Sequence, residues 1–185
     1  MKTAIFGGTF NPIHQAHLTM ARIAADRLAL DRVLFIPAGR PPHKETATPY
    51  EDRFHMVELA CAADPRFGAS RLEEGNDTSY SILTIERLKA ANPGTLYFII
   101  GSDAFEEIKT WYRWRDVIAA VEFIVVARPG HIIDPPPGAK VHRLEDVSLP
   151  VSSSEIRRAL ARGEISTELP PAVAAYIREH HLYRD

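Results

Sequence analysis

Two runs in this chain, Leu96-Tyr97-Phe98-Ile99-Ile100 and Phe123-Ile124-Val125-Val126, carry no charged or small polar residue at any position. A strand with one wet face alternates apolar and polar side chains. A strand that never alternates is covered on both faces. A third run of the same kind, Val33-Leu34-Phe35-Ile36, stops at Pro37. Segments with helical periodicity separate the runs, so the expected class is α/β: a Rossmann-like parallel sheet with helices on both faces. Strands are predicted over 2–7, 33–36, 67–72, 96–100, 122–127 and 141–144, the fourth of them central and 67–72 the weakest in signal. Helices are predicted over 17–30, 51–63, 80–91 and 171–180, with a short helical region after 101 and another starting at Ser152. The length of 185 residues fits a single domain over 1–185, with 152–185 as its small C-terminal helical part. The proline-rich segment 132–138 reads as an exposed loop before that part.

In open parallel sheets, ligands bind beyond the carboxyl ends of the strands. The stretch Gly7-Gly8-Thr9-Phe10-Asn11-Pro12-Ile13-His14-Gln15-Ala16-His17 sits where the first strand ends and a helix begins. The glycines make a tight turn there, or they let a ligand approach the backbone. The helix start offers unpaired amide groups to an anion. His14 and His17 are three apart and can face one side of a helical turn. As a metal pair they lack a third ligand at suitable local spacing, so zinc is not expected and the metal-ligand set is empty. As phosphate donors they need nothing more. No Gly-Lys-Ser or Gly-Lys-Thr follows the glycines, and Gly-x-Gly-x-x-Gly is absent, so any nucleotide is held in neither of those two ways.

A net charge of −2 argues against a general nucleic-acid binder, though it leaves room for a nucleotide substrate. No run approaches the length of a membrane span, and the first residues lack the pattern of a secretory signal. The lone Cys61 has no internal partner and lies in an apolar helical run, so a buried thiol and a reducing cytoplasm are expected.

Further candidates follow strand ends or start helices. Lys44, in Pro41-Pro42-His43-Lys44, is either a solvated loop lysine or an ammonium whose approach the prolines stiffen. Arg53, in the next helix, is a possible second cation. Asp103, in Gly101-Ser102-Asp103, either caps the following helix or accepts from a ribose or a magnesium-bound water. Trp111, Tyr112 and Trp114 supply aromatic surface, with Trp114 expected in the core and one indole face available to stack on a planar ring. The segment from Asp77 through Ser79 and Tyr80 offers amides at a helix start as an opposite wall. Ser152 and Glu155 have capping-box spacing. Ser152, Ser153 and Ser154 with Arg157 also make a phosphate cradle, with Arg157 and Arg158 pointing different ways.

Taken together, these segments resemble the nucleotidyltransferase superfamily that carries the His-x-Gly-His signature, and within it the bacterial nicotinate-nucleotide adenylyltransferases. The resemblance extends over nearly the whole chain. It rests on residues 7–14, Phe35-Ile36-Pro37, 41–44, Thr78-Ser79-Tyr80-Ser81, 101–103, Thr110-Trp111-Tyr112, Arg128-Pro129-Gly130, 152–157 and the ending from Tyr176 to Tyr183. It implies transfer of AMP from ATP to nicotinate mononucleotide in NAD biosynthesis, with release of pyrophosphate. It implies that His14 and His17 contact the ATP phosphates, above a floor of Gly7, Gly8, Thr9 and Phe10. Ser153 and Arg157 would also hold phosphate, Gly101 and Asp103 would lie on the adenosine side, and Lys44 near the transferred group. Trp111 would stack on the pyridine, and Ser79, Tyr80 and Tyr112 would recognise its carboxylate. Mg²⁺ would be held mainly by the ATP phosphates. One position departs from the signature: Ala16 stands where its glycine is expected, mild in effect if helical, obstructive if it abuts nucleotide. Rival readings are another phosphate acceptor, such as nicotinamide mononucleotide or phosphopantetheine, and a nucleotide sensor without catalysis. Oligomeric state is open.

Overall fold

Strand β1 (Thr3–Gly8) lies inside a six-stranded sheet whose strands all run parallel, in the order β3-β2-β1-β4-β5-β6. The others are β2 (Arg32–Pro37), β3 (Phe67–Ala69), β4 (Leu96–Gly101), β5 (Glu122–Val126) and β6 (Lys140–Leu144). This computed structural model describes residues 1–75, 77–145, 147 and 149–184. The helices are α1 (Gln15–Leu28), α2 (Tyr50–Cys61), α3 (Ser81–Ala91), α4 (Ser102–Glu106), α5 (Trp114–Ala120), α6 (Ser153–Ala161) and α7 (Pro171–Glu179). A 3-10 turn, Ile108–Thr110, joins α4 to the aromatic segment. Among the described residues no helix is long and apolar enough to cross a membrane.

Side chains alternate along each strand between two cores. Ala4, Phe6, Val33, Phe35, Tyr97, Ile99, Ile124 and Val126 face α1, α2, α6 and α7. Ile5, Leu34, Ile36, Leu96, Phe98, Ile100, Phe123 and Val125 face α3, α4 and α5. Both faces are therefore covered, which is why these runs show no polar alternation. Phe35 is fully buried among Phe6, Phe10 and Phe67, at ring distances of 5.4, 5.8 and 5.2 Å. Burying one such side chain contributes about 2–3 kcal/mol. α1 buries Ala16, Leu18, Ala21, Ala24 and Ala25, a mostly small-residue face that lets the helix sit close on the sheet. α2 buries Phe54, Met56, Val57 and Cys61, while Leu59 is left exposed.

Two local expectations need correction. The strand expected over 67–72 ends at Ala69, and a turn follows at 71–74. Pro37 does not lie beyond β2 but is its last residue, paired with Gly8. β2's amides face its two neighbours alternately: Val33 donates to Arg66 and Ala38 to Gly8, each at 2.9 Å. The donor Pro37 lacks would face β3, which has already ended opposite Phe35.

The sheet order sets the site. The chain moves outward from β1 to β2 and β3, then crosses back to β4 and moves the other way. The carboxyl ends of β1 and β4 thus flank the topological switch point, where a crevice forms beyond the sheet. Gly7 and Gly8 end β1, and Gly101 ends β4.

Candidate active site

The glycines after Phe6 extend β1 rather than turn it. Gly7 pairs with Ile36 and Gly8 with Pro37. Neither has a positive φ, and a Cβ placed on Gly7 would meet nothing within 4 Å. Gly7 therefore leaves its face of the crevice bare, while a Cβ on Gly8 would meet the Phe10 ring at 3.3 Å. The left-handed conformation falls instead on Phe10, at φ 49°. A bulky residue holds that conformation only under constraint. Here the buried Phe10 ring packs against Phe6 at 5.7 Å and His17 at 5.1 Å.

α1 begins earlier than the apolar pattern suggests. His14 is its N-cap, in extended backbone, and His17 lies in the first turn. The two imidazoles stack at 3.8 Å. The His14 amide donates to Nδ1 of His17 at 3.2 Å. His14 is only 4% exposed, and its Nδ1 has no partner among the described residues. Burial lowers the His14 pKa to about 4. Burial, and then repulsion from His14, hold His17 well below the usual histidine range. Both rings are neutral near pH 7. The amides at this helix start are less free than the sequence implied: His14's is taken by His17, and Gln15's donates to the Glu168 carbonyl at 2.7 Å.

Three separate parts of the chain converge on the loop after Phe10. The Ser153 hydroxyl donates to the Pro12 carbonyl at 3.1 Å, and Arg157 donates to the Asn11 carbonyl at 2.8 Å. The Tyr183 hydroxyl donates to Oδ1 of Asn11 at 2.6 Å. Asn11 in turn donates from Nδ2 to Oγ1 of Thr46, 2.8 Å away in the Lys44 loop. The start of α6 is thereby fixed beside the histidine pair. Ser152 caps α6 by accepting from the Glu155 amide at 3.2 Å, and Ser154 accepts from Arg157 at 3.3 Å. The triple serine is thus a cap, a loop clip and an arginine rest, not three free hydroxyls. Arg157 is half-buried and Arg158 exposed, as their helical offset implies.

A second group lies on the other side of the crevice. The Ser79 amide donates to the Arg40 carbonyl at 3.0 Å, and Arg40's amide donates to the Ser79 hydroxyl at 3.3 Å. Tyr80 packs against Tyr112 at 4.6 Å, and the half-buried Trp111 meets Phe98 edge-on at 5.7 Å. Tyr112 is 53% exposed, so aromatic surface is open to a ligand here. Trp114 is half-buried rather than fully in the core, with the Arg115 guanidinium 4.4 Å over its ring. Because Arg40 and Thr46 belong to one loop, residues 39–49 tie this group to the first.

A model of the cytidylyltransferase-like family matches residues 5–159. The chain belongs to that family. Among its relatives, a probable nicotinate-nucleotide adenylyltransferase of Solibacter usitatus is 60% identical, over 99% of this chain and all of that one. A protein of Thermus thermophilus with the same description is 41% identical over the full length of both. The fold also matches Plasmodium falciparum nicotinic acid mononucleotide adenylyltransferase, solved with NaAD. That match has a TM-score of 0.84 and 21% identity over 98% of this chain and 97% of that one.

In this cytidylyltransferase-like chain, Gly7, Gly8, Thr9, Phe10, His14, His17, Ser153 and Arg157 cluster at the carboxyl end of β1. Gly101 ends β4 and Asp103 follows it, with the exposed Asp103 carboxylate paired to Arg128 at 2.5 Å. Lys44 stands exposed on its loop. Ala16 is helical and buried at the second position of α1, so the departure from the signature costs no backbone strain. Asp103, Glu106 and His131 could between them hold a cation, yet Asp103 is occupied by Arg128, and Glu106 by His131 at 2.8 Å.

Arg53 corrects the sequence reading most. It is not a second cation facing substrate but 1% exposed, donating to the carbonyls of Thr9 and Ala38, each at 2.8 Å. It also donates to Thr48 at 3.3 Å and Gly39 at 3.5 Å. One guanidinium so joins the loops after β1 and β2. Asn11 and Tyr183 were missed as well. An Asn in a glycine-rich stretch and a Tyr near the end carry no local sign that they meet.

Proposed function

We propose that this chain is a nicotinate-nucleotide adenylyltransferase, acting on ATP and nicotinate mononucleotide through one nucleotidyltransferase domain over 1–185. The observation that carries the reading is the meeting of the His14–His17 pair with Ser153 and Arg157 around residues 11 and 12, at the switch point of the sheet, in a chain 60% identical to a relative so described. A phosphate oxygen of the mononucleotide attacks the α-phosphorus of ATP. The bond from that phosphorus to its bridging oxygen breaks, and pyrophosphate leaves with the electron pair. The second pKa of a phosphomonoester is about 6, so the nucleophile needs no strong base. The protein's work is to align two anions and to meet charge on the α-phosphoryl group.

His17 suits that work as a neutral donor. Its Nδ1 accepts from the His14 amide, so its proton sits on Nε2, which is free to donate to a phosphate oxygen. Arg157 keeps one nitrogen on Asn11 and supplies fixed positive charge beside it. Gly7, Gly8, Thr9 and Phe10 form the floor, and Gly101 and Asp103 take the adenosine side. Lys44 lies near the transferred group. Trp111 stacks on the pyridine, and Ser79, Tyr80 and Tyr112 meet its carboxylate. The imidazoles, Ser153 and Arg157 include no carboxylate, a set that suits phosphate oxygens. Mg²⁺ would accordingly be held by phosphates and water, and when bound would neutralise phosphate charge. The buried, unpaired Cys61 thiol, pushed up to about 12 by burial, fits a cytoplasmic setting.

The test mixes the purified protein with ATP, Mg²⁺ and either nicotinate or nicotinamide mononucleotide. Pyrophosphate release and a dinucleotide product with the acid, and markedly less with the amide, are expected. Release with neither overturns the reading.

A further inference from the structure

The C-terminal tail enters the site from far along the chain, and nothing in the reaction scheme above uses it. After α7 the chain reverses through His181 at φ 53° and Tyr183 at φ 59°, two left-handed conformations on non-glycine residues. Such conformations persist only where the surroundings hold them. Here Leu182's amide donates to the Ile177 carbonyl at 3.0 Å, and Leu182 and Tyr183 pack against the core that α7 covers. The tail is therefore docked, and its Tyr183 hydroxyl reaches Oδ1 of Asn11 at 2.6 Å, with the Thr48 side chain as a second hydrogen-bonding neighbour.

That bond decides which way an amide points. An Asn side chain has an acceptor end and a donor end of nearly equal shape, and only its partners fix the orientation. Tyr183 stays protonated, because burial raises its pKa well above the usual tyrosine range, so it has a proton to give to Oδ1. With Oδ1 of Asn11 turned to the tail, Nδ2 faces Thr46 and donates to Oγ1 at 2.8 Å. Thr46 lies two residues after Lys44 and accepts again from the Thr48 amide at 3.3 Å. The Asn11 carbonyl meanwhile takes Arg157 at 2.8 Å. One residue of the motif thus couples tail, loop and cationic helix.

We propose that Tyr183 is a positioning residue for catalysis: by orienting the Asn11 amide it anchors Thr46 and sets the loop from which Lys44 works. This inference rests on the reading above that Lys44 serves the transfer. Removing the hydroxyl frees the amide to rotate and releases the loop, while the ring still fills its place.

The experiment compares Tyr183→Phe, Thr46→Val, their double variant, Lys44→Ala, and Tyr183→Phe combined with Lys44→Ala. Turnover and KM for both substrates are measured per folded enzyme, with thermal melts as control. Tyr183→Phe and Thr46→Val are each expected to lower turnover about tenfold with KM for ATP within about twofold, and the double variant to be no slower than the worse single. In the Lys44→Ala background, Tyr183→Phe should have no further effect. Slow Lys44→Ala beside normal Tyr183→Phe overturns this inference alone. A further loss in the Lys44→Ala background, or a loss in melting temperature with unchanged turnover, does the same. Lys44→Ala at the parent rate overturns both the role of Lys44 and the inference, and absence of pyrophosphate release in the parent overturns the functional reading itself.

Discussion

The His14 amide donates to Nδ1 of His17 at 3.2 Å, beneath a ring pair stacked at 3.8 Å. A backbone donor on Nδ1 leaves the other ring nitrogen as the proton carrier. The helix start thereby fixes both the tautomer of His17 and the direction in which it donates. His17→Ala is expected to lower turnover by about 10²–10³, the range for removing one pre-aimed donor from a developing oxyanion. The KM for nicotinate mononucleotide should change little, because the proposed role of His17 places the lost bond on the ATP side. Steady-state kinetics with unchanged turnover would remove His17 from the reaction.

The same two rings make stability depend on pH. Their pKa values lie below the unfolded histidine value near 6.5, so the unfolded chain binds more protons between that value and the folded ones. Their contribution is complete above about pH 6.5 and falls away as pH drops toward 4. For His14 alone the full loss is about 3 kcal/mol. Glu73, whose carboxyl burial pushes up while Thr84 donates to it at 2.7 Å, works in the opposite sense. Asp64, held below the usual carboxylate range by its hydrogen bonds from Arg66, loses its contribution only at more acid pH. Urea midpoints should fall from pH 7.5 to pH 5, and His14→Asn should flatten that slope. An equal slope in the variant counts against burial of a neutral His14 ring.

How much of this was legible follows from the range of each signal. The parallel sheet was readable because strands buried on both faces lose their polar alternation, as 96–100 and 123–126 do. The order of motifs was readable because each follows a strand end, and topology then brings strand ends to one edge. β3 was overextended because three residues give too short a pattern to bound. Contacts between distant residues left no trace. Glu168 occupies the Gln15 amide, and Tyr183 reaches Asn11. The loss of free helix-start amides therefore could not be foreseen, and Arg53 looked like any surface cation on a helix.

Arg53 is a charge held by carbonyls, with no carboxylate among its hydrogen-bond partners in the described residues. Its removal would leave the buried Ala38 oxygen and the half-buried Thr9 and Thr48 oxygens without that donor, and a buried acceptor left unpaired costs about 1–3 kcal/mol. Arg53→Met is expected to destabilise by more than about 3 kcal/mol, since several are lost together. Arg53→Lys keeps the charge but not the planar fork and should fall between. Chemical denaturation that placed Arg53→Lys level with the parent would show that the fork geometry is unimportant.

Trp111 offers the last test, because its core contact and its proposed stacking role separate in kinetics. One edge of the indole meets Phe98 inside the core. The residue is nonetheless half-buried, beside the exposed Tyr112. If the open face stacks on the pyridine, Trp111→Ala loses about 1–3 kcal/mol of ring binding, the usual range for an aromatic platform. That corresponds to a KM for nicotinate mononucleotide raised about 5- to 150-fold, with turnover at saturation and KM for ATP nearly unchanged. A purely structural Trp111 would instead lower the melting temperature and leave the KM of the folded enzyme where it was. Trp111→Phe keeps an aromatic face and should recover most of the lost affinity. Measuring both KM values and the melt for the two variants distinguishes a stacking platform from a core residue that happens to lie near the crevice.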